Sequence, residues 1–330
     1  MNKKINNKNI DINKIFRFPA SNQSRLYKIR IDKNERANTH KKFFLKNLKK
    51  EINSDLISAY PEFNKIYKKL AKKLKVSSKN IVFTAGSDQA IKNTFELFYK
   101  KNKNVITIDP TFAMVDIYSK IFKTKQIKIG FNKKLELNTE DLFYHINKKT
   151  SLIIIANPNS PTGSLLDKEV LIKIIKRAKK YNIKVLVDEA YYEFSKYNLL
   201  SQIKKFNNLI IVRTFSKIFG FAGLRCGYVV SNNYNIKKYF AIKPMYEINS
   251  IAVKALEMVL DNPNFTKSYL REMREGEKYA QKFCKKHKYD FIKCYANFFH
   301  INFNFDPIKI QKYLNKRNIL VKGGPGVASY

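Results

Sequence analysis

The chain has 330 residues, of which 44% are apolar and 14% aromatic, enough to bury a sizeable core and to exclude wholesale disorder. Its 65 Lys and Arg against 26 Asp and Glu give a formal charge of +39. No run approaches the ~18 apolar residues of a membrane-spanning helix, Met1 to Asp11 lack a secretory apolar stretch, and Cys226, Cys284 and Cys294 form no C-x-x-C pair. These features predict a cytoplasmic protein with no membrane partner. At ~150 residues per domain, two domains or one large one are expected.

Residues 1–25 are rich in Asn and Lys and read as a mobile arm. Helices are predicted over 41–57, with Phe44, Leu45, Leu48, Ile52 and Leu56 at helical spacing, and over 62–74. Short apolar runs then alternate with helices. Strands are expected at 81–84, 105–108, 127–129, 152–156, 185–187, 209–214 and 228–230, with helices at 88–99, 114–122 and 168–181. This alternation predicts an α/β fold with a mainly parallel sheet covered on both faces. Helices at 251–260 and 266–287, then strand, helix and strand over 298–322, predict a smaller α+β domain. The small domain is placed at 26–55 and 246–330, the large one at 56–245.

Only ten of the 65 cations are arginine, and the lysines are spread along the chain rather than gathered in a block. That distribution fits a solvated, compositionally biased surface and no nucleic-acid partner, although the field would still attract small anions.

Ligands of open α/β sheets bind at the carboxyl ends of the strands, and four unusual segments stand there. Ala85-Gly86-Ser87-Asp88 leads into a helix, where free N–H groups favour an anion. An ordinary small-residue turn would look the same. Asn157-Pro158-Asn159-Ser160-Pro161-Thr162-Gly163 is an irregular loop directly after an apolar run. Asp188 ends another apolar run, where a carboxylate is costly unless paired or solvated. Finally, Lys217 follows Thr214 and Ser216 and precedes Arg225 by eight positions. A desolvated lysine is a nucleophile for carbonyls, and hydroxyls with a guanidinium make a phosphate cradle.

Together these segments resemble the histidinol-phosphate aminotransferase family of fold-type I, class I/II pyridoxal-phosphate enzymes, over most of the chain from Asp32 to Lys322. The resemblance implies pyridoxal 5'-phosphate as cofactor. It makes Lys217 the lysine that bonds the cofactor aldehyde and later moves a proton. Asp188 faces the pyridine nitrogen, Tyr191 and Asn157 hydrogen-bond the phenolic oxygen, and Phe112 stacks on the ring. Ser87 and Asp88 give backbone N–H groups to the phosphate, and Ser216 and Arg225 give side chains. Tyr60 matches a tyrosine reaching the phosphate from a neighbouring subunit, which implies a homodimer with shared active sites. Asn34 and Lys322 fall at substrate-binding positions. The implied partners are a small-molecule amino donor, glutamate, and a keto acceptor such as imidazole-acetol phosphate.

Two departures bear on the substrate. Lys322 stands where these enzymes carry an arginine for the substrate phosphate, which keeps the charge and loses the bidentate fork, and Arg36 interrupts the usual Asn-Glu-Asn-Pro stretch. Relatives also continue with an Arg-(Ile/Leu)-Thr-x-Gly-like strand whose arginine grips the substrate carboxylate, and the sequence stops at Tyr330 without it. Weak transamination is therefore expected, and an extension restoring that arginine is expected to raise the rate by orders of magnitude in a coupled assay. Two other functions remain open: a decarboxylase of the threonine-phosphate decarboxylase type, and a non-catalytic basic binding protein on the same fold. No metal site is expected, because His40, His145, His287 and His300 lie far apart in sequence.

Overall fold

The computed structural model describes residues 24–132 and 134–323. The expected arm falls almost wholly outside these residues. The chain enters with β1 (Ile29–Arg30), α1 (Lys42–Glu51), α2 (Ser54–Ser58) and α3 (Asn64–Leu74). The single helix expected over 41–57 is therefore two. The break lies at Asn53, whose side chain accepts the Leu56 N–H and starts a new helix.

The central unit follows: β2 (Ile81–Thr84), α4 (Gly86–Phe98), β3 (Asn104–Asp109), α5 (Ala113–Ile121), β4 (Lys125–Gly130), α6 (Thr139–His145), β5 (Thr150–Ala156), α7 (Lys168–Lys180), β6 (Lys184–Asp188), β7 (Leu209–Thr214) and β8 (Gly227–Ser231). These strands form one seven-stranded sheet in the order β2-β8-β7-β6-β5-β3-β4. Strand β8 is antiparallel to both its neighbours, and the other pairings are parallel. Side chains of alternate residues feed two cores. Leu152 and Ile154 pack with α4 and α5 residues such as Phe95 and Val115. Ile153 and Ile155 pack on the other face with Leu171, Ile174 and Leu256. Every residue of β5 is buried, as a strand covered on both faces requires. Each such Leu or Ile contributes about 1.5–3 kcal/mol.

Then come α8 (Asn233–Ile242), α9 (Ser250–Leu260), α10 (Lys267–His287), β9 (Asp290–Ile292), β10 (His300–Asn302), α11 (Pro307–Asn315) and β11 (Ile319–Leu320). Helices α6 and α8 carry no expectation from the sequence. Each shows a short buried stripe, Leu142 alone in α6 and Asn235, Ile236 and Tyr239 in α8, and each begins at an asparagine cap. Strand β1 pairs in parallel with β11, and β9 pairs antiparallel with β10. The first and last described strands thus meet in one two-stranded sheet.

At the carboxyl ends of β6 and β7 lies a buried ion pair. The register sets Asp188 beside Val212, so the next residues, Glu189 and Arg213, come together. Arg213 Nε and Nη2 both donate to Glu189 Oε2, at 2.9 and 2.7 Å. Both side chains are 2% exposed. Glu189 Oε1 accepts the Leu199 N–H at 2.6 Å. Removing one partner strands a buried charge, so Glu189→Ala is expected to lower unfolding free energy by about 3–5 kcal/mol. Glu275→Ala, which breaks the exposed 3.9 Å pair with Arg271, should cost at most about 1 kcal/mol. Urea denaturation of the two variants checks both.

Candidate active site

One cavity of about 970 Å³ opens at the carboxyl edge of the sheet. Lys217, Asp188, Tyr191, Ser87, Asp88, Phe112, Ser216, Arg225, Asn34 and Lys322 all line it. Strand ends supply most of them. Ser87 and Asp88 lie in the first turn of α4, directly after β2, and Phe112 follows β3. Asp188 ends β6, and Ser216 and Lys217 follow β7. Because β8 runs the opposite way, Arg225, two residues before its start, stands at the same edge. No group of three or more His, Cys, Asp or Glu residues placed to hold a metal ion occurs among the described residues.

Gly86 and Gly227 shape the floor below Ser87. A Cβ at Gly86, whose φ is +80°, would come within 2.7 Å of Arg225 Nη2. A Cβ at Gly227 would lie 2.6 Å from Gly86 C and 2.8 Å from Ser87 N. Only residues without side chains let the guanidinium and the N-terminus of α4 approach each other. The result is a cradle of N–H donors and one fixed cation, with the dipole of a 13-residue helix behind it. Arg225 Nη1 and Nη2 donate to the Ala222 and Ala85 carbonyls at 3.2 and 3.4 Å, which fixes the group's plane. The Asp88 carboxylate already accepts the Tyr118 hydroxyl at 2.8 Å, leaving its backbone N–H as the group offered to a ligand. Thr214 Oγ1 donates to Ser216 Oγ at 3.0 Å and holds that hydroxyl in place.

Asp188 is 6% exposed. Burial pushes its carboxyl up to about 7, the Ala190 N–H and the Lys217 ammonium oppose that rise, and Glu189 adds to it. Its Oδ1 accepts the Ala190 N–H at 3.0 Å. A desolvated carboxyl at a cavity wall suits a cationic N–H from a ligand. Lys217 Nζ sits 5.3 Å from the Tyr191 ring centre and donates to the Lys33 carbonyl at 3.3 Å. Tyr191 is 5% exposed, and its hydroxyl accepts the Asn34 Nδ2–H at 3.1 Å. Cationic cradle, buried acid and amine together fit a flat, phosphorylated ring bearing a protonated nitrogen and an aldehyde. Pyridoxal phosphate is such a group.

Two expected residues stand outside the lining. Asn157 is buried behind it. Its Nδ2 donates to the Tyr197 hydroxyl and its Oδ1 accepts the Leu166 N–H, both at 2.9 Å. Tyr60 is 74% exposed and stacks on Tyr246 with ring centres 4.1 Å apart. The structure also brings in residues that sequence reasoning passed over. Phe298 and His300 line the cavity, and the Phe298 ring meets Tyr191 edge-on at 5.7 Å. His300 Nε2 lies 2.9 Å from the Pro161 carbonyl. Glu189 stands directly after a buried strand, where an acid is costly unless paired or solvated, and Arg213 is the cation that pairs with it. Cys226 is a buried thiol pushed up to about 12 by burial, too protonated to act as a nucleophile.

The Asp188 geometry sets a pH signature. The folded protein holds this carboxyl near 7, against 3.8 ordinarily, so ionisation opposes folding and stability falls as pH rises between those values. Asp188→Asn keeps the Ala190 bond and removes the charge. In cofactor-free protein it should melt higher than wild type above pH 7, with the gap closing towards pH 4. Equal melting curves at pH 8 would refute the assignment.

The model of the class I and II aminotransferase family matches residues 37–321. The histidinol-phosphate aminotransferase of Caldanaerobacter subterraneus subsp. tengcongensis is 34% identical over 299 residues, which are 90% of this chain and 84% of that protein. That of Clostridium novyi is 32% identical over 318 residues, covering 92% and 85%. Among solved structures, the histidinol-phosphate aminotransferase from Sinorhizobium meliloti in complex with pyridoxal-5'-phosphate aligns with a TM-score of 0.80 at 20% identity, over 89% of this chain and 82% of that one. That likeness is one of fold, and the fold is the fold-type I architecture expected from the sequence. No helix among the described residues is long and apolar enough to cross a membrane. By the extent of these matches, the chain belongs to the class I and II aminotransferases.

Proposed function

We propose that this aminotransferase uses pyridoxal phosphate to move an amino group from glutamate to imidazole-acetol phosphate or a closely related phosphorylated keto compound. One observation carries the reading: the Lys217 amine, the Asp188 carboxyl and the Gly86–Ser87–Arg225 cradle face one cavity. The names of relatives at 32–34% identity support the acceptor. Bound there, the cofactor supplies an aldehyde that captures amines and a ring that takes up the electron pair left at Cα.

The chain's residues do the rest. Lys217 would supply the amine that holds the aldehyde and, once free, would take the substrate Cα proton and hand it back. Asp188 keeps the ring nitrogen protonated, since a cation beside it relieves the penalty of its own burial. The Tyr191 hydroxyl accepts from Asn34, which leaves its own proton for the phenolic oxygen. Asn157 stands behind that position and would need to turn its amide towards the cavity to join it. The amides of Ser87 and Asp88, with Ser216 and Arg225, bind the phosphate dianion. Phe112, 37% exposed, covers a ring face. Asn34 and Lys322 hold the substrate, with Lys322 offering charge to its phosphate. The exposed Tyr60 would serve the cavity of a second copy, in a homodimer of the cytoplasm.

The test is the visible spectrum of purified protein with pyridoxal phosphate, before and after glutamate. The expected result is a yellow protein that bleaches with glutamate and regains colour fastest with imidazole-acetol phosphate. Lys217→Ala should give no amine-bound colour and a loss of turnover of several orders of magnitude. A protein that never turns yellow would overturn the enzyme reading. CO2 release from a phosphorylated amino acid without glutamate would replace transamination by decarboxylation.

A further inference from the structure

Residues 31–40 form a strap between the active site and the elements at the other end of the chain. On the site side, Lys33 takes the Lys217 ammonium on its carbonyl and Asn34 holds the Tyr191 hydroxyl. His40 Nε2 lies 3.1 Å from the Gly220 carbonyl, which can only accept. Gly220 in turn donates its N–H to the Lys217 carbonyl at 3.0 Å. A Cβ at Gly220, where φ is +74°, would come within 2.6 Å of Arg36 Cδ, so the strap lies directly on the lysine loop.

On its other side the strap is gripped by α10 and by the segment before β10. The Arg36 guanidinium covers the Tyr269 ring, 4.5 Å from its centre. Burial pushes the Tyr269 hydroxyl up in pKa, and the neighbouring Asn297 side chain and Ala37 N–H oppose that rise. Asn38 Nδ2 donates to Glu272 Oε2 at 2.7 Å. Asn297 Nδ2 also donates to the Asn34 carbonyl at 3.0 Å. Meanwhile Asn297 Oδ1 is buried with no hydrogen-bond partner among the described residues. A site that wanted only volume would hold an apolar residue there, because a buried unmet acceptor is costly. What Asn297 contributes is its donor.

Asn34 is where that donor matters. Its φ is +54°, in the left-handed region that asparagine adopts more readily than other side-chain-bearing residues. Asn297 grips the carbonyl of this residue, and the same residue's side chain reaches Tyr191. We infer that Asn297 is a positioning residue of the active site, fixing the Asn34 backbone so that the Asn34 carboxamide orients the Tyr191 phenol into the cavity. Through it the placement of α10 and β10 is coupled to the group at the proposed phenolic-oxygen position. The inference rests on the proposed role of Tyr191, and neither Asn297 nor Tyr269 lines the cavity.

A double-mutant cycle tests it. Asn297→Asp keeps the size and sets an oxygen against the Asn34 carbonyl. The first readout is the pH midpoint of the colour change of cofactor-bound protein without substrate, and the second is kcat and KM for glutamate. In the wild-type background Asn297→Asp should displace the midpoint and lower kcat by roughly tenfold, with KM within about twofold, the size expected for one lost and one unsatisfied hydrogen bond. In a Tyr191→Phe background both effects should vanish. If Tyr191→Phe leaves the midpoint where it was, the reading of Tyr191 fails and this inference with it. If Tyr191→Phe moves the midpoint and Asn297→Asp does not, or acts equally in both backgrounds, the inference alone is overturned. Melting of the cofactor-free variants checks their folding, and Asn297→Ser carries the same cycle should the aspartate variant not fold.

Discussion

The buried pair of Glu189 and Arg213 is the constraint on which the site depends. Two charges with 2% exposure each are held by two hydrogen bonds on one oxygen, and the other oxygen ties down Leu199. The Arg213 guanidinium also lies 3.7 Å from the centre of the Tyr192 ring. Such a pair gains little net stability over an apolar replacement, since desolvation offsets the attraction. Its effect is geometric. It locks the end of β6 to the end of β7 immediately beside Asp188 and four residues before Lys217. The buried acid and the amine are thereby set across one cavity.

Charge is used in two unlike ways by this chain. Most of the +39 is lysine spread over the surface, where pairs such as Arg271–Glu275 are screened and of small effect. At the cavity the charge that matters is held in fixed places. Arg225 is pinned by two carbonyls and by the absence of a side chain at Gly86. Asp188 sits without a cationic hydrogen-bond partner and is held near neutrality by burial. The surface field draws anions in from a distance, but the choice of ligand lies with these few fixed groups.

The strap over 31–40 gives the site a second anchor. The sheet alone fixes the strand-end residues, whereas Tyr191 and Lys217 also bond to Asn34 and Lys33, which α10 and the segment before β10 hold from outside. The departure at Arg36 has a structural account here. Its long side chain spans from Gly220 to the Tyr269 ring, so a residue that breaks the family's stretch is still bound into the core of the contact.

The sequence by itself determined the sheet and its functional edge. Short apolar runs rich in β-branched residues, such as 152–156 and 209–212, bounded by polar residues, read as covered strands, and small, acidic or cationic residues directly after them mark the candidate ligand edge. Lys217, Asp188, Ser216 and Arg225 were legible for that reason, because each is anomalous against the local apolar pattern. The periodicity did not resolve the break at Asn53, where one cap outweighs an unbroken stripe, nor α6 and α8, whose stripes are too short to register. Only the tertiary structure decided which groups meet across long separations. Asn34 with Tyr191, Asn297 with Asn34, and β1 with β11 are contacts between segments 157, 263 and 290 residues apart. Local spacing carries no information about such pairs. Burial likewise decided the ionisation of Asp188 and the side chain of Asn157, which turns to Tyr197 and Leu166. Both depend on what packs around a residue and not on what stands next to it in the chain.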